Sequence, residues 1–96
     1  MSAACPSFGF LVSMQLAPGL HPSARAELGH AWLAFLAGRG LYCAGGGGAE
    51  RLAYAVGSEA SQATEGDRGA AKAWLASRVE LQGWQVGDLD DLDRAV

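Results

Sequence analysis

Long apolar runs are absent: no stretch approaches the ~20 residues needed to span a bilayer. Cysteine is scarce, and Cys5 and Cys43 are too few for a disulfide framework. Basic residues are few as well. Seven Lys and Arg against ten Asp and Glu leave a formal net charge of −3 over 96 residues. That balance excludes a generally basic surface and argues against direct binding to nucleic-acid phosphates. Met1 to Ser7 hold neither Lys nor Arg nor an apolar core, so they do not read as a signal peptide. Half of the residues are hydrophobic, but much of that share is alanine, so the core must rest on few large side chains. These features predict one soluble, cytoplasmic domain over residues 8–91, with a short N-terminal segment (1–7) and a C-terminal tail (92–96).

What is there begins with Phe8, Phe10, Val12, Met14 and Leu16, which recur with period two and therefore share one face of a strand. Leu11 falls on the opposite face. Ala17-Pro18-Gly19 is turn chemistry, and Pro22 suits the first turn of a helix. From Pro22 to Ala37, Leu28, Trp32, Phe35 and Leu36 form one helical stripe, ended by Gly38 or Gly40. Leu41 to Ala44 is a short strand, and Arg51 to Val56 a second, alternating one. Thr64 and Asp67 have the spacing of a capping box, opening a helix to about Ser77 with Ala70, Ala71, Trp74 and Leu75 inward. Leu81 to Val86 is the last strand.

The order β-α-β-β-α-β, with right-handed crossovers, puts both helices on one face of a four-stranded antiparallel sheet. This is the ferredoxin-like, split βαβ fold of the α+β class. The other sheet face is left open, with Leu11, Ala53 and Ala55 on it, and such a face commonly serves for docking.

Several segments together resemble the YggL-type 50S ribosome-binding proteins. They are Gly9-Phe10-Leu11-Val12, the run Gly40 to Gly48, Ala63-Thr64-Glu65-Gly66-Asp67-Arg68, Ala73-Trp74-Leu75, and Val86-Gly87-Asp88-Leu89-Asp90-Asp91. The resemblance spans about Phe8 to Asp91. It implies a small, non-catalytic bacterial protein of the cytoplasm that associates with the large ribosomal subunit.

The chemistry-bearing residues offer few alternatives. Gly45 to Gly48 are followed by a strand and by no Lys-Ser/Thr pair, so they read as a hairpin connection rather than a phosphate loop. Cys5, Cys43, His21 and His30 lack metal-ligand spacing. Asp88, Asp90, Asp91 and Asp93 lack the Gly and distal Glu of a calcium loop and read as a solvated acidic tail. Trp32 and Trp74 belong to core stripes. The strands Leu41 to Ala44 and Leu52 to Tyr54 do not carry the stacking aromatics of RNA-recognition domains. No nucleophile–base pair or convergent carboxylates suggest an enzyme, and no cofactor is implied. Arg68, Lys72 and Arg78 form the best positive patch for an acidic partner or rRNA, and Leu11 marks the open sheet face. The alternative is a homo-oligomeric or small-ligand-binding ferredoxin-like domain using that same face.

Overall fold

The alternation of β1 (Phe8–Leu16) decides which side of the sheet becomes the interior. In the computed structural model, which describes residues 8–48, 50–59 and 62–92, Phe10, Val12, Met14 and Leu16 are buried and Leu11 and Gln15 are exposed. The remaining elements are α1 (Pro22–Gly38), β2 (Leu41–Gly47), β3 (Arg51–Ser58), α2 (Glu65–Ala76), β4 (Leu81–Val86) and a two-residue β5 (Asp90–Asp91). The strands lie in the order β2-β3-β1-β4, and β1 pairs antiparallel with both β3 and β4, as β2 does with β3. Both helices contribute to the one core that covers β1: Leu28, Trp32 and Leu36 from α1, Ala71 and Leu75 from α2. The expected ferredoxin-like α+β arrangement is the one observed.

Local chemistry explains the helix ends. Pro22 begins α1, where His21 Nδ1 accepts from the Ser23 N–H at 3.1 Å. Gly40, at φ +69, turns the chain out of the helix while its N–H bonds to the Ala37 carbonyl. At α2 the capping box is complete: Thr64 Oγ1 accepts from the Asp67 N–H at 3.2 Å, and Asp67 Oδ2 accepts from the Thr64 N–H at 2.9 Å. Asp67 is nearly buried, and its other oxygen takes Arg39 Nε at 3.1 Å, linking the end of α1 to the start of α2. Asp67→Ala is expected to cost about 2 kcal/mol, because it strips a cap, leaves the Thr64 N–H without its acceptor and removes the pair with Arg39. Arg39→Ala, whose side chain is partly in water, should cost at most ~1 kcal/mol. Thermal melts of the two variants check the ordering, and equal losses would show that the cap is not what Asp67 supplies.

Two segments differ from expectation. Gly45 to Gly47 are not a loop but the second half of β2, opposite Tyr54, Ala53 and Leu52. Their backbone explains it. Gly45 and Gly46 have φ of +138 and +157, and a Cβ on Gly45 would collide with the Ala53 carbonyl, so only glycine continues the strand there. The hairpin connection shrinks to residues 48–50. At the C-terminal end, the chain pairs Asp90 and Asp91 with Gly9 and Phe8, and Leu92 is buried. The carboxylates of this segment stay at the surface while its backbone extends the sheet. Cys5 and Asp93, with the segment 1–7 and most of the 92–96 tail, lie outside the described residues.

Candidate functional site

Register builds the open face row by row. Leu11 lies opposite Ala55, Ser13 is flanked by Ala53 and Gln85, and Gln15 by Arg51 and Gly83. Half of these side chains are small, Ser13, Ala53, Ala55 and Gly83, so the middle of the face is low, with Leu11 the large apolar group rising from it at 50% exposure. Around Leu11 is a shallow concavity bordered by Ser13, Ala53, Ala55, Gln85 and Gly87. Lys72 of α2 borders it as well, so the structure brings together two of the four candidate residues, Leu11 and Lys72.

Arg68 and Arg78 are occupied within the protein. Arg68 is largely buried. Its Nε donates to the Gly87 carbonyl at 2.7 Å and its two terminal nitrogens meet Glu65 at 2.6 Å and Asp88 at 3.5 Å. It staples α2 to the chain leaving β4, and Gly87 in turn donates to the Leu11 carbonyl at 2.8 Å. Arg68 thus supports the rim of the concavity rather than lining it. Arg78 grips Glu80 with two hydrogen bonds, 3.1 and 2.9 Å, and lies 5.0 Å over the Trp74 ring. That bond holds the Glu80 carboxyl below its ordinary value. The three-residue positive patch is therefore dispersed: two of the three partners of Arg68, Gly87 and Asp88, come from a segment about twenty residues away, which helical spacing does not reveal.

Arg51, which the sequence patterning does not single out, also belongs on this face. It begins β3 opposite Gln15, is exposed, and shares a second depression with Ser13, Gln15, Gly83 and Gln85. Its alternation with Leu52 is the signal that could have found it.

The covered face holds the other reactive side chains. Trp32 is 1% exposed and meets Phe35, Tyr54 and Trp74 at ring separations of 5.9, 5.8 and 5.3 Å. These rings fill the space between two helices whose backbones stay apart. Burial pushes the Cys43 thiol up, with the Trp32 indole acting weakly against it. The Trp32 N–H is nonetheless buried without a hydrogen-bond partner of ordinary geometry. Burial also raises Tyr54, helped by Cys43 and opposed by Arg25. Trp84 lies opposite Met14 and packs on the core, so none of the tryptophans on the described strands or helices offers a ring to the open face. Among the described residues, no three His, Cys, Asp or Glu are grouped to hold a metal, and no helix is long and apolar enough to cross a membrane.

The sequence matches the family described as YggL 50S ribosome-binding protein over residues 6–93, nearly its whole length. The chain belongs to this family. No curated protein and no solved structure matches it significantly. Within a YggL-family chain, the run Ala63 to Arg68 thus has a structural task that this structure explains. It opens α2 with a capping box and anchors that helix at both Arg39 and Gly87. The glycine run likewise serves an edge strand.

Proposed function

We propose that the protein is a non-catalytic interaction module that associates with the large (50S) ribosomal subunit in the cytoplasm, through the open sheet face around Leu11. The family match over residues 6–93 carries the partner. The exposed leucine in an uncovered concavity supports the place of contact, since a large apolar side chain held half in water gains on being covered. Lys72 at the border supplies a cation beside it, whereas Arg68 and Arg78 act indirectly, by holding α2 and its flanking chain in place.

Sucrose-gradient sedimentation with purified subunits tests this. The protein is expected in the large-subunit fractions at low and moderate salt, and protein remaining at the top in both would overturn the proposal. Leu11→Asp should weaken co-sedimentation about tenfold, because the covered face would hold a desolvated carboxylate. Its melting temperature should stay close to the parent's, as expected for a half-exposed position.

A further inference from the structure

The net charge of −3 conceals a segregation of charge. Four of the described cations are engaged internally: Arg25 donates to the Gly48 carbonyl, Arg39 pairs with Asp67, Arg68 with Glu65 and Asp88, and Arg78 with Glu80. The two described cations without an ion pair or hydrogen bond, Arg51 and Lys72, both border the open sheet face. Arg51 makes no ion pair even with the neighbouring Glu50. No open-facing position of β1 to β4 carries a carboxylate: these positions are filled by Ser13, Gln15, Gln85, alanines, glycines, Tyr42 and Leu11 around the lone Arg51. Acidic side chains stand at the ends of the face, Glu50 just before Arg51 and Asp88 and Asp90 beyond the Leu11 end.

Given association with the large subunit, the reading on which this inference rests, we propose that this face takes the sugar–phosphate backbone of rRNA, with Arg51 and Lys72 as its phosphate contacts. The alanine and glycine floor lets a bulky backbone approach the sheet closely. Ser13, Gln15 and Gln85 offer neutral donors and acceptors suited to ribose hydroxyls and phosphate oxygens. With the tryptophans turned into the core, the face reads backbone and shape, and bases do not stack on it. From the Arg51 row to the Leu11 row is four residues of β3, about 13 Å, a span of a few nucleotides. A basic ribosomal-protein tail is the poorer occupant, because it would meet two unpaired cations and no carboxylate on the four main strands. A second copy of the chain would bring the same cations without carboxylates at the matching positions.

The test compares the full-length protein with the Arg51→Gln/Lys72→Gln double variant on purified 50S subunits and on protein-free large-subunit rRNA. Both positions are exposed, and a thermal melt checks that the variant folds. The double variant is expected to bind subunits about tenfold or more weakly at 0.1 M salt. Its log–log salt slope should fall by about 2, at ~0.9 for each phosphate no longer neutralised. The parent should also be retained on the bare rRNA and the variant much less. If the parent binds subunits and the variant matches it in affinity and slope, the rRNA contact is wrong while subunit association stands. If the variant weakens on subunits but the parent ignores bare rRNA, the partner is a ribosomal protein and the proposal falls. A parent dimer in light scattering that the double variant dissociates would assign the face to a second copy and overturn it as well.

Discussion

Trp32→Ala is expected to bring the protein close to unfolding. The indole is almost fully buried and touches rings from both helices and from β3, so its removal leaves a hole that no neighbour can close without moving an element. Large aromatic-to-alanine changes in cores cost about 3–5 kcal/mol, against a total of roughly 5–15 kcal/mol for a natural domain. Much of the α1–α2 packing runs through this one side chain, so the upper part of that range is expected, near 4–5 kcal/mol. Urea titration followed by circular dichroism measures it. Trp32→Phe should recover more than half of the loss, since it keeps a ring in place and also removes the unpartnered indole N–H. An alanine variant losing less than about 1 kcal/mol would show that the helices hold the sheet without this pillar.

The second large effect lies where no side chain exists. Gly9 faces the β1–β3 seam so closely that a Cβ would run into the Val56 carbonyl, with the Gly57 backbone immediately behind. The obstacle is backbone of a central strand pair and cannot swing aside as a flexible side chain would. Gly9→Ala should therefore part β1 from β3 locally and cost about 3 kcal/mol. The thermal midpoint should drop by more than ~10 °C. Gly29→Ala is the control of opposite sign. Nothing lies within 4 Å of a Cβ there, on α1, so alanine should stabilise by about 0.5–1 kcal/mol. If both substitutions proved neutral, the close approach at Gly9 would be refuted.

Much of this architecture is legible because side chains announce it. The alternation of Phe10, Val12, Met14 and Leu16 marks the covered face, and Leu11 the open one. The stripe through Leu28, Trp32 and Leu36 and the Thr64–Asp67 spacing mark the helices. Where side chains are missing, the signal vanishes: Gly45 to Gly47 cannot show a period of two, so the second half of β2 reads as a loop until its pairing with β3 is seen. Asp90 and Asp91 are poor strand formers, and only their backbone pairing with β1 reveals β5. The candidate site is half legible. Leu11 stands out by breaking the polar alternation, but whether a cation is free depends on partners supplied by tertiary contacts. Gly87 and Asp88 occupy Arg68, and Glu80 occupies Arg78, whereas Arg51, unremarkable in the alternation of β3, is left to solvent.

The glycines of β2 have a consequence for solubility. β2 is an outer strand of the sheet, the position at which a neighbouring molecule could zip on and start a fibril. Its last three residues offer such a neighbour no side chains to interdigitate. The segment that looks least specified in the sequence is thus the guard on an otherwise self-adhesive border.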